Sequence, residues 1–231
     1  MYDPDANQPP VNPLPPVVLL LVMVMGAAEL LFQLGGAGII GGPGAIGWRA
    51  SIIQSYGFSP AYVQWMWENQ AFPLAYMARL VTYPFVDANF GNTLFGITLV
   101  LALGKFVGDR VNSFVLLVIF FGSAIIAALV YSVFVGPQNF MVGAHAPAYG
   151  LIGAFTWMLL GDLKESGERA AKAFRLIGML AVLHVVFFLI FGGNDWINRA
   201  AGFLGGFVIC AILRPKAAAG FYYWVERLRN R

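Results

Sequence analysis

The chain holds few groups able to do chemistry. Among its 231 residues are two histidines, His145 and His184, and one cysteine, Cys210. No serine stands between Ser132 and Ser166, and no histidine follows His184. Serine-based hydrolysis needs a hydroxyl with a base in hydrogen-bond reach. Two segments bring polar groups into small-residue surroundings: Gly143-Ala144-His145-Ala146-Pro147-Ala148-Tyr149-Gly150 and Asp195-Trp196-Ile197-Asn198-Arg199-Ala200-Ala201-Gly202. The first offers an imidazole. The second offers a guanidinium, which is no base at neutral pH because its pKa exceeds about 12. His145 with Asp87 supplies two metal ligands, too few for zinc, and no cysteine is placed to help. No metal and no cofactor is therefore expected.

The remaining polar groups lie in or beside apolar stretches. His184 reads as a packed or hydrogen-bonded polar residue. Glu29 either snorkels to the interface or faces a cavity. Arg199 cannot discharge, so it must reach water or an acid, and Asp195 and Asp87 are its candidate partners.

Positioning these groups falls to helices that cross a bilayer. Only 11% of the residues are charged, 59% are hydrophobic, and the mean hydropathy is +0.74. A soluble domain carries about 25% charged residues, so most of this surface does not face water. The mild balance of +3 does not point to nucleic acid, because the basic residues cluster at helix ends and not along a groove. A lone cysteine excludes an intrachain disulfide.

Membrane crossing takes roughly 20 apolar residues. Six stretches fit, at about 15–34, 90–103, 113–135, 144–160, 174–191 and 197–213. The second is short and is expected to extend backwards through Asn89. Residues 1–14 lack the basic region of a signal peptide and read as a short disordered tail. The region 15–213 reads as one membrane domain, without repeats or a second soluble domain. Residues 214–231 read as a basic amphipathic helix, with Phe221, Trp224, Val225 and Leu228 on one face, lying against the cytoplasmic leaflet.

A long loop, roughly 35–82, joins the first two stretches. It opens glycine-rich. Ser59-Pro60 then reads as an N-cap with proline at the first helical position. The aromatic segment Tyr62-Val63-Gln64-Trp65-Met66-Trp67 suits a helix in the interface, at headgroup level.

The stretch Arg79-Leu80-Val81-Thr82-Tyr83-Pro84-Phe85-Val86-Asp87-Ala88-Asn89-Phe90-Gly91-Asn92-Thr93-Leu94-Phe95-Gly96 resembles the lead-in to helix two of rhomboid intramembrane serine proteases. Leu103-Gly104-Lys105-Phe106-Val107 resembles the end of that helix. The two glycine-patterned segments resemble helices four and six, so the resemblance spans about 75–213. It implies an all-α bundle of six transmembrane helices with a membrane-embedded first loop. It also implies close packing through Gly143, Gly150 and Gly153 on helix four and Gly202, Gly205 and Gly206 on helix six, where missing side chains let backbones meet.

Matched residue by residue, the family's serine nucleophile falls on His145 and its base histidine on Arg199. Its oxyanion asparagine falls on Gly96, and the histidines flanking helix two fall on Asp87 and Asn92. The resemblance thus implies a scaffold without its catalytic groups, a pseudoprotease. Such relatives bind transmembrane clients, and that is the expected role, with the lipid bilayer and a client or partner protein as its contacts. The alternatives are an active rhomboid-type serine endopeptidase and a structural subunit of a larger membrane complex.

Orientation follows from charge. With a cytoplasmic N-terminus, all of the 14 lysines and arginines except Arg49, Arg79 and Arg199 lie on the cytoplasmic side. The positive-inside rule favours that arrangement, with both termini cytoplasmic in a plasma (inner) membrane. A cysteine introduced at Gly167 should be labelled by a membrane-impermeant reagent only from the cytoplasmic side; labelling from outside would reverse the orientation.

Overall fold

The structure is a computed structural model that describes residues 13–165, 170–175, 177–179, 182 and 194–213. Eight α-helices are laid out over these residues. They are α1 (Pro16–Gly36), α2 (Trp48–Tyr56), α3 (Pro60–Asn69), α4 (Leu74–Thr82), α5 (Phe90–Gly108), α6 (Ser113–Phe134), α7 (His145–Glu165) and α8 (Asp195–Leu213). Among the described residues no strand forms, only an isolated bridge between Phe58 and Met141. The chain is an all-α membrane protein. The fifth apolar stretch, His184, the N-terminal tail and the basic C-terminal helix lie wholly or mostly outside the described residues.

Local chemistry sets the helix boundaries. Asn89 accepts a hydrogen bond from the Asn92 amide at 2.9 Å and starts α5. Asn112 does the same for α6 through Val115, at 2.8 Å. Ser59 caps α3 through the Ala61 amide at 3.3 Å, with Pro60 at the first helical position. Helix α5 does not extend backwards, since Asn89 caps it; it runs forwards through Lys105 to Gly108. Lys105 is accommodated because its ammonium reaches Asp109 at 3.4 Å and the Pro13 carbonyl at 3.3 Å.

Among the described residues four helices are long and apolar enough to cross a membrane: α1, α5, α6 and α8. Helix α7 has 21 residues but is less apolar, and it carries Asp162, Lys164 and Glu165 at its end. Its place explains this. From Ala144 to Met158 nearly every residue is buried, packed by α5, α6 and α8. A helix that faces protein on all sides needs no apolar coat for lipid.

The α7–α8 contact brings backbones together. A Cβ on Gly202 would collide with the Ala146 carbonyl, one on Gly206 with the Gly150 carbonyl, and one on Gly153 with the Phe203 carbonyl. Residues 146 and 150 pair with 202 and 206, so the two helices run parallel. Gly150 also meets Ser123 of α6, and Gly205 faces Ile126 of α6.

The first loop holds three helices where the sequence suggested one. Arg79 gathers them: its Nη1 donates to the carbonyls of Gln54 at 2.7 Å and Gly57 at 3.0 Å, at the end of α2. Its guanidinium lies 4.2 Å from the Tyr62 ring centre on α3. Phe58 and Met141 exchange backbone hydrogen bonds, and the Ser59 hydroxyl donates to the Pro137 carbonyl. The loop is thereby tied to the segment that precedes α7. Trp67 (75% exposed) and Leu74 (81%) point outward, as suits residues at headgroup level.

Packing makes opposite predictions for two glycines. Gly206→Leu should destabilise the protein by about 3 kcal/mol or more, since overpacking here strikes backbone. Gly96→Ala should be neutral or stabilising by about 0.5 kcal/mol, because its Cβ would meet Ala144 and Met25 at an ordinary 3.5 Å. Unfolding in mild detergent with a denaturing titrant checks both.

Candidate functional site

The site positions gather around the start of α7. Gly143 adopts φ +84, a conformation that favours glycine, and turns the chain into the helix. Its amide donates to the carbonyls of Tyr83 at 3.0 Å and Val86 at 2.7 Å. The Asp87 carboxylate occupies the space where a Gly143 side chain would be. His145, two residues on, is half-buried, with its ring 5.9 Å from that of Phe95 on α5. Gly96, one residue further along α5, packs on Ala144. Asn92 is exposed at the first turn of α5. Asp87, Gly96, Gly143 and His145 are thus brought into one neighbourhood.

Arg199 approaches from α8, where Gly202, one turn on, touches Ala146. Its charge acts on Tyr149 of α7, one turn beyond His145. Of its two candidate partners the structure selects Asp195, at 3.9 Å across one helical turn. Asp87 is not its partner. Asp195 is 71% exposed, so this is a loose surface pair.

Asp87 is instead held in a polar joint that the sequence reading missed. Glu29 neither snorkels nor faces open space. It is buried and paired to Arg49 of α2, with Arg49 Nη2 to Glu29 Oε1 at 2.6 Å and Nη1 to Oε2 at 3.0 Å. Gln33 donates to Glu29 at 2.7 Å, and the Thr93 hydroxyl of α5 donates at 2.8 Å. Arg49 Nη1 also donates to the main-chain carbonyl of Asp87 at 2.9 Å. One guanidinium therefore links α1, the first loop and the lead-in to α5. The available signal was an acid in an apolar helix and a lone arginine in the loop that follows, since a buried charge requires a partner.

The Asp87 carboxylate accepts from the Ala88 amide at 2.8 Å through Oδ1, while Oδ2 has no hydrogen-bond partner among the described residues. Burial is the main cause that pushes its pKa up, to about 6, and the charge of Glu29 adds to it. The Ala88 amide, the Asn92 side chain and Arg49 pull it partly back. Among the described residues no group of three or more His, Cys, Asp or Glu is placed to hold a metal ion.

Two hydroxyls on or beside α7 are committed to the backbone. Ser123 of α6, which meets α7 at Gly150, is buried and donates to the Phe120 carbonyl at 3.0 Å. Thr156 of α7 is buried and donates to the Ile152 carbonyl at 2.8 Å. Comparison with protein families finds the rhomboid domain over residues 75–216, more than half of the chain. The chain belongs to the rhomboid family. It is a multi-pass membrane protein of a family whose members are usually serine proteases. None of the curated proteins matches it significantly. The matched region starts in α4, so α1 and most of the first loop lie outside it; Glu29 and Arg49 pair within that outer part and tie it to the matched region through the Thr93 hydroxyl and the Asp87 carbonyl.

The two ion pairs should respond differently to mutation. Arg49→Met leaves a buried carboxylate without its cation and should cost about 3 kcal/mol. Asp195→Asn, at a pair open to solvent, should cost less than about 1 kcal/mol. Thermal unfolding of both variants in nanodiscs makes the comparison.

Proposed function

We propose that this rhomboid cleaves no peptide bond and instead holds a transmembrane client helix, in a plasma (inner) membrane with both termini cytoplasmic. One observation carries the reading. Helix α7 begins at His145 and α8 carries Arg199, the residues on which the resemblance puts the family's nucleophile and base. Helix α7 contains no serine and α8 no histidine, so no shift of alignment restores the pair.

The chemistry fails at each step of the family mechanism. Attack on a peptide carbonyl needs a hydroxyl whose proton a base removes. Arg199 cannot accept that proton. The hydroxyls of Ser123 and Thr156 are buried and donate to main-chain carbonyls of their own helices. Gly96 offers no side-chain donor to a developing oxyanion, and losing one such donor costs about a hundredfold in proteases. The helix packing that the chemistry would require is nevertheless kept, through Gly150, Gly153, Gly202 and Gly206. A scaffold kept without its catalytic groups supports binding as its use. Exposed apolar residues on α5, among them Phe90, Leu94 and Phe95, supply a lateral face for a client.

Purified protein should not react with fluorophosphonate or isocoumarin probes, while a photo-crosslinker at Leu94 should capture a transmembrane helix. Probe labelling abolished by a single point substitution, together with loss of substrate cleavage, would overturn the proposal. Stoichiometric co-purification of fixed partners in mild detergent would favour a structural subunit over a client binder.

A further inference from the structure

The joint beneath the start of α7 has two carboxylates and one guanidinium. Arg49 turns both of its terminal nitrogens onto Glu29 and gives Asp87 only a bond to its main-chain carbonyl. The Asp87 side chain draws only on uncharged donors, the Ala88 amide and the Asn92 side chain, and is 5% exposed. An ionised carboxylate so placed is one negative charge more than the joint can neutralise.

We infer that Asp87 is a proton-operated latch that fastens the lead-in of α7 to the first loop when neutral and releases it when ionised. The position is suited to this. The carboxylate packs on the backbone of Gly143, whose amide bonds to Tyr83 and Val86. The main-chain carbonyl of Asp87 receives Arg49 of α2. Protonated, Asp87 is compatible with burial between these segments. Ionised, it gains by turning to water, and turning it separates Gly143 from the α4–α5 connection. The groups that face it are Glu29 from α1, Arg49 from α2 and the uncharged Asn92 from α5. Tyr83, which takes the Gly143 amide, turns its own hydroxyl away to the Ala124 carbonyl of α6. On the α7 side the titratable group nearest in sequence to Gly143 is His145.

The direction follows from linkage. A carboxyl raised from 3.8 to about 6 on closing binds more protons closed than open. Closure is therefore favoured as pH falls through about 6 and weakened as it rises. Over pH 5 to 7.5 the opening equilibrium should rise about tenfold.

Hydrogen exchange of the full chain in nanodiscs, corrected for intrinsic rates, reads this directly. Amides of residues 48–60 and 138–146 should lose protection about tenfold from pH 5 to 7.5. Asp87→Asn, which is isosteric and neutral, should stay protected throughout. Asp87→Glu should retain a transition, and so should His145→Gln. Constant protection of the unmodified chain over that range would overturn the inference. So would a transition that survives Asp87→Asn or disappears in His145→Gln.

Discussion

The approach of α7 and α8 constrains the rest of the molecule. Their backbones meet where Gly202 lies on Ala146 and Gly206 on Gly150, with no room for a Cβ. In lipid there is no hydrophobic gain from burying one apolar side chain against another, so association depends on such dispersion contacts. Helix α6 closes the third side through Ser123 and Ile126, and the arrangement leaves α7 almost wholly enclosed. Enclosure in turn explains why α7 tolerates proline, histidine and small residues where a lipid-facing helix would carry leucine.

A second constraint is electrostatic. The first loop joins the C-terminal end of α1 to the lead-in of α5 and is fixed by Arg49 on Glu29, with Thr93 and Gln33 completing the acceptor's bonds. Taking these charges out of water is offset only while the geometry stays complete. Asp87 sits at the edge of that set, bound by its backbone and left with a burdened side chain. The same short segment, 83–87, also receives the Gly143 amide. Loop, joint and α7 are therefore mechanically one unit, and the candidate site is built on it.

Much of this was legible in the residues, because local rules wrote it. The cap at Ser59 was read from its short polar side chain ahead of proline, whereas Asn89, expected inside α5, caps it instead, and Asn112 caps α6 without having been singled out. Apolar runs located the spanning helices. The forward extension of α5 was hidden by Lys105, which looks like a boundary until its ammonium is seen reaching Asp109 and Pro13. The Glu29–Arg49 pair was hidden for a different reason: twenty residues of loop separate its members, and no periodicity specifies how a glycine-rich loop returns. Arg199 offered two acids at the level of sequence, and only the one-turn geometry on α8 distinguished Asp195 from Asp87. The three loop helices were compressed into one because aromatic content signals an interface without fixing helix number.

The proposed function is that of a scaffold retained without the reaction. Its most direct test is incubation of the purified rhomboid in proteoliposomes with a panel of transmembrane peptides, with products read by mass spectrometry. Intact peptides are expected throughout, with an unmodified profile in His145→Ala. Cleavage within the membrane region of any peptide, lost in His145→Ala or Arg199→Ala, would contradict it.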